Sequence, residues 1–204
     1  TLANKGKKDK LTHSGLAGPE NTVKTMDNFL GIDINYYARV NFTSLITMVD
    51  ALGGIDLDSD SSFTAASGDS FRKGVQHVNG KKALAFARER HAFGGGDNMR
   101  VKHQQDVLMA MLKKMMSPAI ITNYTGVLNS IAGCFETNMS SKEIKSLINM
   151  QLDDNAEWEL FNVQIDGDGY TTEDTYSMHG AACYVMKPYQ SKVKSLNDAI
   201  WKKV

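Results

Sequence analysis

The sequence predicts an α/β fold, and three observations support that prediction. Hydrophobic residues make up 42% of the 204 residues, which is enough for a sizeable core in one domain over 1–204. Segments with apolar residues at helical spacing alternate with short segments rich in β-branched and aromatic residues. Glycine and proline stand at the boundaries between these segments. An alternating order of helices and strands is typical of α/β domains.

The first part of the chain contains both patterns. Predicted in order are a loop over 1–21, a helix over 20–30, a strand over 32–40, a helix over 42–52, a strand over 55–57 and an exposed loop over 58–73. The first helix is predicted because Val23 and Leu30 lie on one helical face and Gly31 follows them. The polar loop over 58–73 is rich in Ser and Asp, and Phe71 is the residue expected to anchor it.

The second part of the chain continues the alternation. Predicted in order are a short helix over 80–87, a glycine loop, a long helix over 98–116, a weaker helix over 119–130, a helix starting at 140, a strand over 157–165, a turn over 166–169, a strand over 182–186 and a final helix that includes 193–201. Ser140 and Glu143 match the capping-box pattern, in which each side chain hydrogen-bonds the backbone of the other residue.

Charge and hydropathy exclude several classes of function. Lys plus Arg and Asp plus Glu both number 23, so the chain has no net basic charge to attract nucleic acid. No run of about 18 apolar residues exists, so no segment is predicted to span a membrane. No signal peptide is visible, and the chain begins with Thr1, so we expect it to be part of a longer protein.

Residues 88–105 carry the densest functional pattern, with three arginines, the carboxylate of Asp97 and two glutamines. If Arg88, Glu89 and Arg90 are extended, both guanidinium groups leave the same side of the backbone, with Cα atoms about 6–7 Å apart. That spacing suits two neighbouring phosphates, because a guanidinium is always charged and offers forked donors to phosphate oxygens.

A helix start follows this arginine pair. Asp97 stands where the long helix should begin, and Asp is a favoured N-cap. Arg100 and Gln104 are four residues apart, so they share one helical face. A glycine loop that feeds such a helix N-terminus predicts an anion site. The alternative is a solvated charged loop before an ordinary capped helix, and the combined spacing of the arginines favours the site.

Two motifs resemble the LytR-CpsA-Psr family of cell-envelope proteins. The first comprises Gly74, Val78-Asn79-Gly80, Ala83-Leu84, Phe86, Arg88-Glu89-Arg90, Asp97, Arg100, His103 and Gln104-Gln105. The second comprises Asn41-Phe42 and the run from Val49 to Ile55, Val-Asp-Ala-Leu-Gly-Gly-Ile. His103 departs from the family pattern, which usually has arginine at that place.

The resemblance implies a fold and a function. It implies a central mixed sheet flanked by helices, an apolar pocket for a lipid tail, and further strands upstream of this chain. The implied activity is a phosphotransferase that moves a glycopolymer from a polyprenyl-pyrophosphate carrier to peptidoglycan. The implied location is the extracellular face of the cell membrane, with a membrane anchor in an upstream segment. Magnesium is the implied cofactor, with its ligands expected in that segment.

The resemblance also implies roles for single residues. Arg88, Arg90 and Arg100 are expected to bind the pyrophosphate, with Gln104 donating a hydrogen bond to the same oxygens. Asp97 and Arg100 are the candidate catalytic residues. Asp97 would accept the proton of the acceptor hydroxyl, or would orient Arg100 and cap the helix.

Three alternative functions stay open at this level. One is a regulator of transcription of the attenuator type, although the sequence shows no helix-turn-helix pattern. Another is a module that binds envelope lipid or polymer without turnover. The third is a polyprenyl-pyrophosphate hydrolase, in which water replaces the sugar hydroxyl.

The two cysteines allow two interpretations. Cys134 and Cys183 lack metal-binding spacing. They are either two separate buried thiols or one disulfide that closes a loop of about 50 residues and contributes ~4 kcal/mol. The family resemblance, with its extracellular location, favours the disulfide.

Overall fold

The computed structural model describes residues 1–90, 96–154 and 165–202. In chain order the elements are a 3-10 helix Leu11–Ala17, α1 Pro19–Leu30, β1 Ala38–Val40, α2 Phe42–Ala51, β2 Ile55–Ser59, β3 Phe63–Thr64, β4 Ser70–Phe71, β5 Gly74–Val78, α3 Gly80–Arg88, α4 Gly96–Met115, α5 Pro118–Thr122, α6 Tyr124–Ser130, β6 Phe135–Thr137, α7 Ser141–Asp154, β7 Gly167–Thr172, β8 Cys183–Pro188 and α8 Gln190–Trp201. Helices and strands both occur throughout, which confirms the predicted α/β class.

The chain divides into two compact units. One contains Thr1–Tyr37 together with Phe161–Val204, and the other contains Ala38–Leu160. A single domain over 1–204 was predicted from length and composition, and that stays a prediction. The predicted phosphate-binding residues, which lie within 88–104, all belong to the second unit.

In the first unit, α1 begins and ends as its sequence predicts. Pro19 occupies its first turn, where the missing N–H leaves no backbone donor unsatisfied, and Gly31 ends it in the left-handed conformation with φ 68°. Asn197 of α8 donates from Nδ2 to the carbonyl of Gly31 at 3.2 Å, which joins the two helices. The predicted loop over 1–21 is wrong in part, because the 3-10 helix Leu11–Ala17 forms there around a buried Ser14.

The predicted turn over 166–169 is a strand in the structure. Residues Gly167–Thr172 pair antiparallel with β8, and Gly169 lies opposite Met186. The exposed Tyr184 side chain lies over Gly169, where a Cβ would make it move aside. Sequence reasoning interpreted the glycines as turn residues because the cross-strand neighbour is distant in sequence.

The second unit is built on a core shared by α2, β2, α3 and α4. Its fully buried side chains include Val49, Ile55, Leu57, Phe86 and Val107. In β2 every second residue is buried, as expected for a strand with one face on the core. Phe71 is buried in the same core, which confirms the predicted anchor of the segment over 58–73.

Strand pairing differs from the expected central mixed sheet. Among the residues that the structure describes, the strands form four two-stranded antiparallel pairs: β1–β6, β2–β5, β3–β4 and β7–β8. The β3–β4 pair lies within the connection between β2 and β5, and both pairings are antiparallel. The strand predicted over 157–165 falls almost entirely outside the described residues.

Several predicted boundaries also change. The strand predicted over 32–40 shortens to Ala38–Val40. The helix predicted over 119–130 is two helices separated at Asn123, where the backbone leaves the helical region. The capping box is confirmed, since the Ser140 N–H donates to Glu143 Oε2 at 2.8 Å and the Glu143 N–H donates to Ser140 Oγ at 3.2 Å.

The run from Val49 to Ile55, which carries the second motif, positions α3. The Asp50 carboxylate accepts a hydrogen bond from the Gly80 N–H at 2.8 Å, at the first residue of α3. A Cβ on Gly80 would lie 2.7 Å from the Ile46 Cα, so glycine lets α3 touch the backbone of α2. Asn79 caps the same helix by accepting from the Lys82 N–H at 3.0 Å. These contacts fix the start of the helix that carries the arginines.

Both cysteines are free thiols in this structure. They belong to different units, and the disulfide between them stays a prediction. Cys134 packs against the core of the second unit, and Cys183 is buried in the first. Each thiol therefore serves as a small apolar side chain in its own surroundings.

Candidate functional site

A pocket of about 820 Å³ lies on the second unit and contains the predicted phosphate-binding residues. Its walls include Arg88, Arg90, Arg100 and Gln104. Arg88 is the last residue of α3, and Glu89 then adopts an extended conformation with φ −65° and ψ 132°. Because of that extension, Arg88 and Arg90 are exposed to the pocket and Glu89 is buried between them. The structure therefore brings these four residues together, and their role in binding stays a prediction.

The floor of the pocket is apolar. It is formed by Phe42 and Ile46 of α2 and by Leu84 and Ala85 of α3. Phe42 and Ile46 are four residues apart, so one helical face supplies both. Cationic groups at one side and apolar side chains below suit an amphiphile with an anionic head and a hydrocarbon tail.

Two pocket residues were missed by sequence reasoning. Lys81 lies on the face of α3 that also carries Leu84 and Arg88, so its helical spacing was the available signal. Phe42 is 56% exposed, and the Arg88 Cζ lies 5.3 Å from its ring centroid in a cation–π contact. The aromatic ring thus holds one guanidinium at the pocket.

Another wall of the pocket comes from the turn between β3 and β4. Ala66, Ser67 and Asp69 line the pocket there, and Ser67 Oγ donates to Asp69 Oδ2 at 2.8 Å. We call residues Phe63–Phe71 the β3–β4 hairpin. Sequence reasoning interpreted it as an exposed loop, and its two phenylalanines were the only signal that it packs on the core.

Aromatic stacking holds the β3–β4 hairpin against α3 and α4. Phe63 stacks on Phe71 with ring centroids 4.9 Å apart and contacts Phe86 at 5.6 Å. On the other side Phe63 is nearly parallel to the His103 ring, at 5.5 Å and 4°. Lys102 adds ion pairs to Asp60 at 2.8 Å and to Asp106 at 3.0 Å.

His103 is part of this stack and does not line the pocket. It is 4% exposed, and its ring centroid lies 4.3 Å from that of Phe86. Burial lowers the pKa of His103 below its usual value of 6.5, while the Asp106 carboxylate acts in the opposite direction. The neutral ring therefore supports the stack, at the position where the family resemblance predicts an arginine.

Asp97 is placed only by its backbone. The helix α4 begins at Gly96, one residue before Asp97, so Asp97 falls within the first turn and does not precede it as an N-cap would. Its side chain lies outside the described residues, and its catalytic role stays a prediction.

No metal site emerges from the part of the chain that the structure describes. Within that part, no group of three or more His, Cys, Asp or Glu side chains could hold a metal ion. The pocket carboxylates are Asp69 and Glu89, and the latter is occupied by backbone donors. None of the helices in that part of the chain is long and apolar enough to cross a bilayer.

Comparison with known proteins gives consistent matches. The LytR_cpsA_psr family model matches residues 2–195. A curated relative from Bacillus mycoides (strain KBAB4), named polyisoprenyl-teichoic acid–peptidoglycan teichoic acid transferase TagU, is 36% identical over 175 residues, or 85% of this chain and 56% of the relative. The chain therefore spans about half the length of the curated relatives it matches.

Solved structures resemble this fold over nearly the whole chain. The crystal structure of B. subtilis TagU matches with a TM-score of 0.74 and 27% identity, and covers 99% of this chain and 79% of that one. A structure of TagT bound to LIIa-WTA matches with a TM-score of 0.75 and 25% identity, and covers 98% and 73%.

Proposed function

This chain belongs to the LytR_cpsA_psr family, and from that premise we propose that it acts as a phosphotransferase. The reaction would move a teichoic acid, with one phosphate, from a polyprenyl-pyrophosphate carrier to a hydroxyl group of peptidoglycan. The names of the curated relatives include teichoic acid and peptidoglycan. These names support teichoic acid as the transferred polymer and peptidoglycan as the acceptor. One observation carries the proposal: Arg88, Arg90, Arg100 and Gln104 meet on one pocket whose floor is apolar.

The proposed binding mode follows from that geometry. The pyrophosphate lies against the three arginines, which supply permanent charge and forked donors. The first part of the polyprenyl chain lies on the apolar floor of Phe42, Ile46 and Leu84, where it is removed from water. Gln104 adds a neutral donor from the same helical face as Arg100.

The proposed reaction needs little covalent chemistry from the protein. The acceptor oxygen attacks the phosphorus atom that carries the polymer, and the bond from that phosphorus to the bridging oxygen breaks. Polyprenyl phosphate leaves with the bridging oxygen, and the hydroxyl proton passes to a base, for which Asp97 is the candidate. Guanidinium groups at the pocket stabilise the charge that develops on the departing phosphate.

Magnesium and location are further parts of the proposal. Magnesium is commonly held by substrate phosphates and one or two carboxylates. The described residues do not themselves supply a metal site, so we propose that its other ligands come from an upstream segment. We place the activity at the extracellular face of the cell membrane, with the anchor in that same segment.

Binding of geranylgeranyl pyrophosphate, measured by calorimetry on the full protein with magnesium present, tests the proposal. Arg88→Ala and Arg90→Ala should each weaken binding by about tenfold or more, because each removes a charge-assisted hydrogen bond to phosphate. The matched control is Arg39→Ala, since Arg39 is exposed, pairs with Glu136 and belongs to the same unit. Equal binding by all four proteins would refute the assignment.

Turnover separates transfer from binding alone. The full protein should release polyprenyl phosphate only when both the lipid-linked teichoic acid and peptidoglycan are present. Release without peptidoglycan would indicate hydrolysis, and tight binding without release would indicate a binding module.

A further inference from the structure

Glu89 is a buried carboxylate between two pocket arginines, and the proposed reaction gives it no role. It is only 3% exposed, whereas its neighbours Arg88 and Arg90 face solvent in the pocket. A buried carboxylate is costly unless hydrogen bonds replace its water. The contacts that satisfy Glu89 therefore indicate what the residue does.

Each oxygen of Glu89 accepts a hydrogen bond from a backbone amide. Oε2 accepts from the Ala66 N–H at 2.7 Å, and Oε1 accepts from the Arg90 N–H at 2.9 Å. The first donor is 23 residues away in sequence and belongs to the tip of the β3–β4 hairpin. The second lies in the segment that presents Arg90. One side chain thus joins the hairpin tip to the segment that carries the arginines, and both line the pocket.

Hydrogen bonds within the hairpin tip leave the Ala66 N–H free to donate to Glu89. The Ala65 N–H donates to the Asp69 carbonyl and the Gly68 N–H donates to the Ala65 carbonyl, both at 2.8 Å. The tip is therefore closed by its own hydrogen bonds, and the Ala66 N–H points out of it to Glu89. The aromatic stack and the Lys102 ion pair hold the base of the hairpin, while Glu89 holds its tip.

We propose that Glu89 is a positioning residue that fixes the wall bearing Ser67 and Asp69 relative to the arginines. This inference rests on the proposed function, in which the arginines bind the pyrophosphate and the acceptor hydroxyl must approach from another side. Ser67 and Asp69 present a hydroxyl and a carboxylate, which are suitable groups for contacting a sugar hydroxyl. Glu89 is assigned a positioning role because both of its oxygens accept hydrogen bonds from backbone amides.

The test variant is Glu89→Gln, which preserves size and removes one of the two acceptors. In either orientation the amide NH2 group faces a backbone N–H, so one contact is lost. The matched control is Glu136→Gln, an exposed residue of the same unit that contacts Arg39. Amide hydrogen exchange at Ala66 and Arg90, affinity for geranylgeranyl pyrophosphate and the turnover rate are measured on the full protein.

We expect exchange at Ala66 or Arg90 to accelerate by about tenfold, because a protecting hydrogen bond is lost. Turnover should fall by about tenfold or more, since small displacements of substrate-positioning groups are costly to rate. Affinity for geranylgeranyl pyrophosphate should change by less than about threefold, because the arginines remain. A purely structural residue would not give this separation of turnover from binding.

Three outcomes overturn the inference. The first is unchanged turnover of Glu89→Gln. The second is an equal loss of turnover and affinity, which would mean that Glu89 is needed for phosphate binding. The third is a variant that no longer folds, which would mean that Glu89 is needed for folding and is not specifically a positioning residue. Failure of the proposed function is recognised separately, by Arg88→Ala binding the pyrophosphate probe as well as the unsubstituted protein. If Arg88→Ala loses binding and Glu89→Gln retains full turnover, only the inference about Glu89 fails.

Discussion

Substituting Gly80 by alanine tests whether the close contact between α2 and α3 positions the arginines. A Cβ at residue 80 would lie 2.7 Å from the Ile46 Cα and 2.8 Å from the Ile46 carbonyl carbon. Ordinary contacts between carbon atoms are about 3.5–4.0 Å, so the two helices would have to separate by about 1 Å. The atoms in the way are backbone, which cannot rotate aside as a flexible side chain can.

Two opposing effects set the size of the change. Overpacking of this kind costs about 1–3 kcal/mol, and a backbone obstruction places Gly80→Ala near the upper value. Alanine regains up to about 1 kcal/mol of helix propensity, and less at the first residue of a helix. The net loss of unfolding free energy is about 2 kcal/mol, which corresponds to a fall of about 4–8 °C in Tm for a chain of this size.

Thermal unfolding followed by circular dichroism measures this shift. The matched control is Gly126→Ala in α6, where the Cβ would meet only the side chain of Asn123, at 3.0 Å or more. That variant should keep or raise Tm, because the amide can move and alanine favours the helix. A Tm of Gly80→Ala equal to or above that of the unsubstituted protein would refute the close-approach reasoning. Weaker binding of geranylgeranyl pyrophosphate by Gly80→Ala should accompany the loss of stability.

Three further predictions concern other residues. Because burial lowers the pKa of His103 below 6.5, the unfolded chain binds a proton that the folded chain excludes, so stability falls as pH falls through 6.5. His103→Phe should therefore flatten the dependence of Tm on pH between about pH 7 and 5, and an unchanged slope would contradict the assignment. Phe42→Leu removes a cation–π contact of about 0.5–1 kcal/mol that holds Arg88 at the pocket, so affinity for geranylgeranyl pyrophosphate should fall by about two- to fivefold while Tm falls by no more than about 4 °C. Cys134 and Cys183 should both react with a thiol reagent in denaturant without prior reduction, and reactivity of neither would restore the disulfide.

The sequence determined the local elements and the chemical character of the site. Helices over 20–30, 42–52 and 80–87 were predicted to within one residue of α1, α2 and α3 at each end. Helical periodicity, capping residues and glycine stops are all local signals, and each lies within a few positions of the boundary that it sets. The arginine cluster was likewise readable, because its members are close in sequence and a guanidinium has few uses besides binding anions and carboxylates.

Only the tertiary structure decided which distant groups meet at the pocket. The β3–β4 hairpin became a wall because Phe63 stacks on rings from α3 and α4, and Glu89 acquired its contact from an amide 23 residues away. His103 became a buried stacking residue for the same reason, although its sequence neighbours Arg100 and Gln104 suggested an anion site. Such contacts depend on how separate elements pack, and no periodicity within a single segment encodes that packing.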